Sequence, residues 1–243
     1  MTSAARVLGC VVALLPLLAP GGERAPLVLV AVSLGPAVDS ALALPGAPRA
    51  TVSSAGTGEL VRQVRAGVKA DVAFLADAES VALLEGEGRV HASSAVLSNR
   101  LAVAVPAAAP VPGDLRELLA RAKRVGLADP AAVPAGRYAK GWLERAGLWG
   151  GVAARVVPLL DARAAVAAVA AGRVDAAVVY ATDARRTPGV RVVYEVPAAQ
   201  APDIRCVLAL LSGSDEAKAL YRWLAGDAAR AAYEAAGFTK VNP

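Results

Sequence analysis

Short runs of β-branched residues alternate along this chain with longer stretches rich in Ala, Leu and Arg, and that alternation confines it to α/β architectures with mainly parallel sheets. The strand candidates are Leu27–Val30, Ala50–Ser53, Asp71–Leu75, Leu101–Val105, Arg124–Leu127, Arg155–Pro158, Ala176–Tyr180, Val190–Val193 and Cys206–Leu211. Helix signals fall between them. Glu59–Ala66 follows Thr57 and Gly58, Asp114–Ala122 has an acidic first turn, Gly136–Ala146 starts after Pro134 and closes at Gly147, and Arg163–Ala171 follows Asp161 and closes at Gly172. Asp215–Ala225 and Asp227–Ala236 read as two terminal helices. With 243 residues, 56% of them hydrophobic, the chain has ample material for a core, which argues against disorder.

Two Pro- and Ala-rich stretches, Pro106–Gly113 after one strand and Pro197–Pro202 before another, read as crossings between two lobes. The expected division is residues 27–101 plus 203–243 for the first lobe and 102–202 for the second, with the side taken by the terminal helices open. Ahead of both, a polar start ending at Arg6 precedes the apolar run Val7–Leu18 and the breakers Ala19-Pro20-Gly21-Gly22. This is the pattern of a secretory signal peptide over residues 1–22; a buried N-terminal helix is the other reading. The run is short for a bilayer span and contains Pro16. Cys10 stands too close to Arg6 for lipid attachment after an apolar segment. Removal of residues 1–22 leaves Cys206 alone, so no intrachain disulfide is possible.

The formal charge of +5 is scattered over positions such as Arg62, Arg65, Arg116, Arg121 and Arg230, without the clustered stripe and stacking aromatics of a nucleic-acid binder. His91 is the only histidine, and it lies in a polar stretch with Ser93 and Ser94, outside any strand-turn-helix serine elbow. One histidine and one mature cysteine cannot build a typical zinc site. Asp71, Asp77, Asp129 and Asp183 read as turn and cap residues rather than a paired acid and base. Gly56-Thr57-Gly58 is too short to be a phosphate loop. The expectation is therefore a protein that is not an enzyme, has no cofactor and holds no metal cation directly.

What remains is a set of five places where small or hydroxyl-bearing residues precede a helix: Ser33, Thr57, Ala135-Gly136, Asp161-Ala162 and Tyr180 at a strand end. Helix N-termini carry unpaired N–H groups and the positive end of the dipole, so each can contact an anion. Singly, residues such as Ser33, Thr57 and Asp161 are more often N-caps than ligand contacts, and one such as Tyr180 is more often a half-buried strand residue. Their order along the chain gives them weight as a set.

Val133-Pro134-Ala135-Gly136-Arg137-Tyr138-Ala139-Lys140, followed by Leu143-Glu144-Arg145-Ala146-Gly147-Leu148-Trp149, resembles the signature of the periplasmic molybdate-binding proteins of ABC transporters. Further likenesses follow in family order. Ala31-Val32-Ser33-Leu34 resembles its AASL start, Leu60-Val61-Arg62-Gln63 its LARQ helix, and Ala70-Asp71-Val72 with Ala76-Asp77 its ADVF and SAD segment. Asn99-Arg100-Leu101 resembles GNRL, Val178 to Ala184 resembles IVYxSDA, and Gly237-Phe238-Thr239 the terminal GFT. The resemblance runs from residue 27 to 239 and implies a two-lobed periplasmic-binding-protein fold with the ligand in the cleft between lobes. It further implies an oxyanion, molybdate or tungstate, held by hydroxyls and backbone N–H groups at Ser33, Thr57, Ala135, Ala162 and Tyr180. Thr57 replaces the family serine and Ala162 a valine whose backbone alone would matter. Arg137 and Arg163 are expected to be peripheral.

The sequence departs from the family at Ala128-Asp129-Pro130-Ala131-Ala132, where Gly-Asp-Pro-Glu-His is usual, and at Arg205-Cys206, where Tyr-Pro is usual. The implied partner is the membrane permease of an ABC transporter, reached from a periplasmic or extracytoplasmic location by a monomer. Another oxyanion such as sulfate or phosphate is the alternative ligand. A regulator's effector domain can share the architecture, but residues 1–26 cannot supply a DNA-binding helix pair.

Overall fold

The computed structural model describes residues 24–110 and 113–241; residues 1–22, expected to be a signal peptide, and Cys10 among them lie outside the described residues. The first half of the chain forms β1 (Leu27–Ala31), α1 (Gly35–Leu42), β2 (Thr51–Ala55), α2 (Thr57–Arg65), β3 (Val72–Leu75), α3 (Ala78–Gly86) and β4 (Ala92–Leu97). Then come β5 (Leu101–Pro106), α4 (Leu115–Arg121), β6 (Val125–Ala128), α5 (Pro134–Arg145), α6 (Trp149–Val152), β7 (Val156–Leu159), α7 (Ala162–Ala170), β8 (Ala176–Tyr180), α8 (Ala181–Arg186) and β9 (Val190–Glu195). The chain closes with β10 (Cys206–Leu210), α9 (Asp215–Ala225) and α10 (Asp227–Ala235).

Two five-stranded sheets result, in the orders β2-β1-β3-β10-β4 and β7-β6-β8-β5-β9. In the first, β1, β2 and β3 run parallel, β10 runs against β3, and β4 runs against β10. Thus β4 points with the first three, and β10 alone is reversed. The second sheet repeats this: β6, β7 and β8 are parallel, β5 runs against β8, and β9 against β5. Here β5 alone is reversed. These two strands are the ones that follow the crossings. Ser98–Arg100 links β4 to β5, and residues 196–205 link β9 to β10; the first crossing therefore precedes β5 and is not the Pro106–Gly113 stretch expected from its Pro and Ala content, which follows β5 within the second half. A strand that enters its sheet from the crossing must start where its neighbours end, so it runs backwards.

Strand alternation sorts the core. Val28 and Val30 of β1, Val72 and Phe74 of β3, and Leu208 and Leu210 of β10 face α1 and α10. Leu29, Ala73, Leu75 and Ala209 face Leu60, Val64 and Leu84 of α2 and α3. Period-two alternation over strands apolar on both faces is what a helix-covered sheet requires. The terminal helices belong to the first sheet: α9 packs on β10 and β3, and α10 on α1 and β4. Tyr233 anchors α10, fully buried, with its hydroxyl donating to Leu224 O at 3.1 Å and its ring edge-on to Phe74 at 5.9 Å.

Strand β4 has no counterpart in the strand signals of the sequence. It is an edge strand with an exposed, Ser-bearing first half, and only Val96 and Leu97 are buried. Polar edge strands escape a search for apolar runs because only one flank is paired. At the crossing, the Asn99 amide donates to Thr182 Oγ1 at 2.9 Å, Ala181 N–H donates to Arg100 O, and Ser98 pairs with Thr239.

Replacing Tyr233 with Ala should cost about 3–5 kcal/mol by removing a buried aromatic and its hydrogen bond. Urea unfolding followed by tryptophan fluorescence measures it; a loss below about 1 kcal/mol would mean that α10 is not anchored through this ring.

Candidate functional site

The β-strands that run with the majority in each sheet end at the crossing side, and the loops after β1, β2, β3, β6, β7 and β8 lead into helices. Open α/β sheets gather ligands outside the carboxyl ends of their strands for this reason. Here two such edges face one another, and the starts of α1, α2, α5 and α7 meet.

Close approaches of backbone show this directly. A β-carbon on Gly56, the N-cap of α2, would lie 3.8 Å from Cβ of Asp161, the N-cap of α7. One on Gly58 would lie 3.4 Å from the carbonyl of Ala132, just ahead of α5. One on Gly35, the first residue of α1, would stand 3.2 Å from Ser54 Oγ and 3.7 Å from the Arg163 guanidinium of α7. Four helix N-termini, two from each sheet, therefore converge with their positive dipole ends and unpaired first-turn N–H groups.

The five expected residues occupy this region and are buried: Ser33 is 6% exposed, Thr57 3%, Ala135 4%, Ala162 5% and Tyr180 2%. Their local settings differ in part from the sequence reading. Ser33 lies in the turn between β1 and α1, and Leu34 rather than Ser33 is the N-cap, because Pro36 in the first turn fixes the helix start one residue later. Thr57 is the first residue of α2, capped by Gly56; its hydroxyl accepts from Ala76 N–H at 3.3 Å, which leaves the hydroxyl proton to be donated. Ala135 follows Pro134 in the first turn of α5, and Ala162 opens α7 behind Asp161, whose carboxylate caps Ala164 N–H at 2.7 Å. The N–H groups of Ala135 and Ala162 have no carbonyl four residues back within their helices.

Tyr180 closes β8, and its hydroxyl is buried with no hydrogen-bond partner. Burial raises its ionisation well above the ordinary phenol range, with the Cys206 thiol, Tyr138, Asp183 and Asp77 adding to it. It stays protonated and available as a donor. The same burial pushes the Cys206 thiol at the start of β10 up to about 12, so this cysteine is a neutral, unreactive wall.

Charged groups stand around the donors. Asp77 caps α3 through Ser80 N–H at 2.6 Å, and Arg137 of α5 reaches Asp77 and Glu79 at 3.5 Å each, tying the second sheet's helix to the first sheet's. Arg137 is thus engaged in a tie between lobes. Asp129 accepts from Ala131 N–H as a turn residue does, whereas Asp71 is no turn residue: it accepts from Leu27 N–H, 44 residues away, and pairs with Arg24. Asp183 does not act this way: its Oδ2 is buried and unpartnered. The ties Asn99 to Thr182 and Arg137 to Asp77 were not legible as pairs in the sequence, since their members lie far apart along the chain. Among the described residues, no group of three or more His, Cys, Asp or Glu is arranged to hold a cation.

Gly136 fixes the aim of α5. A β-carbon there would fall 2.0 Å from Ala128 O and under 3 Å from the Asp129 carbonyl carbon, so only glycine lets the first turn of α5 lie against the end of β6.

A family model described as bacterial extracellular solute-binding protein matches residues 27–239. A Bacillus subtilis protein bearing the name ABC transporter substrate-binding lipoprotein YvgL is 32% identical over 188 residues, covering 75% of this chain and 72% of its own. The molybdate-binding protein ModA of Escherichia coli is 30% identical over 198 residues, 77% of each chain. The periplasmic molybdate-binding protein of Azotobacter vinelandii superposes with a TM-score of 0.74 at 21% identity, over 90% of this chain and 99% of that one, which establishes a shared fold.

Replacing Gly136 with Ala should destabilise the protein by about 1–3 kcal/mol or force α5 to shift. Chemical denaturation together with a crystal structure of the variant checks this; an unchanged midpoint with α5 in place would show that the contact is not limiting.

Proposed function

The chain belongs to the bacterial extracellular solute-binding proteins, and from that membership we propose that it captures a tetrahedral oxyanion, molybdate or tungstate, in the cleft between its lobes. It hands the anion to the membrane permease of an ABC transporter. The protein works outside the cytoplasm as a monomer, delivered there by its N-terminal segment. The ligand contacts are the hydroxyls of Ser33, Thr57 and Tyr180 and the backbone N–H groups of Ala135 and Ala162.

The observation that carries this reading is the buried, unpartnered Tyr180 hydroxyl at the crossing-side end of β8, on the side of the sheets from which the four converging helices start. A buried hydroxyl without a partner costs about 1–3 kcal/mol, so a ligand acceptor at that spot removes a penalty as well as adding a bond. A dianion loses a large hydration energy on burial, and a full shell of donors with converging dipoles offsets it without a paired cation. Neutral donors also keep release possible, whereas a bidentate Arg pair would hold the anion more firmly. Arg137 is already engaged by Asp77 and Glu79, which fits a role in holding the lobes together. The 30% identity to a molybdate-binding protein supports molybdate over other oxyanions. Molybdate and sulfate carry the same charge and like acceptors, so the choice between them rests on the size of the enclosed space.

Calorimetry of the mature protein should give heat with molybdate and tungstate and little with sulfate or phosphate. Heat with sulfate alone replaces molybdate by sulfate, and heat with none of the four rejects an oxyanion site.

Replacing Ser33 and Thr57 together with Ala should weaken binding, each lost hydroxyl costing about 1.5–3 kcal/mol for a charge-assisted bond. Replacing Tyr180 with Phe should weaken binding by a similar step while leaving the free protein as stable or more so, since an unpaired hydroxyl is removed. Unchanged affinity in these variants would reject the assignment of contacts.

A further inference from the structure

We infer that Asp183 is a specificity-determining residue of the cleft: a free acceptor held among donors, it decides whether the cleft admits a fully deprotonated or a protonated anion. The inference rests on the oxyanion reading given above.

Asp183 stands in the first turn of α8, three residues beyond Tyr180. Its Oδ2 is buried with no hydrogen-bond partner. Asp77 and Asp161 also carry negative charge at this cleft, but both spend it on capping N–H groups. Asp183 has no such use. Its charge raises the ionisation of both Tyr180 and Cys206, so it lies close to the Tyr180 end of β8.

The charged and titratable groups around it come from every element packed on α8. From α7, Arg163 favours its ionised form and Asp161 opposes it; from its own helix, Arg186 favours it. Arg185 is paired with Glu195 of β9. The other titratable residues of β9 are Arg191, which donates to Ala109 O, and Tyr194, which stacks on Trp142. Strand β5 carries no titratable side chain. Burial outweighs the two arginines and pushes the Asp183 carboxyl up to about 7.

An anion arriving with acceptors only, such as molybdate or sulfate, meets a neutral carboxyl below that value, and the carboxyl can donate its proton. Above it, the anion meets a carboxylate in a low-dielectric interior and is repelled. Binding of a dianion then raises the carboxyl further, so a proton is taken up with the ligand. A hydrogen oxyanion such as hydrogen phosphate brings a donor of its own and is the one class that the ionised carboxylate accepts.

The sign for the free protein follows from the same geometry. A carboxyl whose folded value lies above its unfolded value holds a proton in the folded state, so stability falls as pH rises toward about 7. Asp183→Asn removes that loss.

The test compares the wild type with Asp183→Asn by calorimetry against molybdate at about pH 6 and about pH 8.5, in buffers of different ionisation enthalpy. Over this range molybdate itself stays a dianion. The wild type should lose roughly tenfold or more in affinity toward the higher pH and take up close to one proton per anion there. Asp183→Asn should show a flat profile, no proton uptake and tighter binding than the wild type at the higher pH. Thermal melts without ligand should show the variant gaining on the wild type as pH rises. Equal slopes and equal proton uptake in the two proteins would overturn the inference while leaving the oxyanion reading intact. Absence of any molybdate heat in the wild type overturns the oxyanion reading and this inference with it, whereas the ligand-free melts report separately on whether Oδ2 is unpaired.

Discussion

The rest of the structure depends on where the chain crosses between its two sheets. Both crossings are at the same edge, so β5 and β10 each start at that edge and run against their neighbours. Every other strand ends there. Parallel strands that end at one edge send their following helices out from it, N-terminus first, and the crossings turn two such edges toward each other. The convergence of α1, α2, α5 and α7 is a consequence of that topology and of nothing more local.

Once helix starts converge, the chemistry of the cleft is largely decided. Helix starts present N–H donors and positive dipole ends, and the side chains added to them here are hydroxyls. The result is an interior rich in donors and short of acceptors, suited to an anion whose oxygens only accept. Of the arginines near this arrangement, Arg137 braces α5 against α3 through Asp77 and Glu79, while the Arg163 guanidinium of α7 reaches the start of α1. Burial keeps the Tyr180 phenol protonated and the Cys206 thiol neutral, so neither adds negative charge. The substitution of Cys206 for the family's usual proline thus leaves the wall apolar and uncharged.

Much of this was legible in the chain itself, and unevenly so. The strands β1, β3, β8 and β10 are continuous apolar runs because both of their faces are covered by helices, and continuous runs stand out in a sequence. Strand β4 did not stand out, since an edge strand with Ser93 exposed and Ser94 taken up by the Tyr221 hydroxyl has only a short apolar end. Thr57 and Asp161 were visible as helix starts through local chemistry, but Ser33 turned out to precede the cap because Pro36 sets the start of α1. Asp183 looked like a fourth capping acid beside Asp71, Asp77 and Asp129. Only its surroundings separate it from them, because a cap is defined by a bond the side chain makes and Asp183 Oδ2 makes none.

By itself, the sequence determined the α/β class and the two-lobed organisation and singled out the hydroxyls and helix starts that we propose as donors, because hydrophobic period, helix starts and hydroxyl positions are local properties of the chain. Tertiary structure alone decided that the starts of α1, α2, α5 and α7 converge, that Arg137 is occupied by the opposite lobe, that the last two helices cover the first sheet, and that Asp183 Oδ2 is left without a partner. Each of these depends on contacts between residues distant in the chain, and on a desolvation that exists only once both sheets close around the same space.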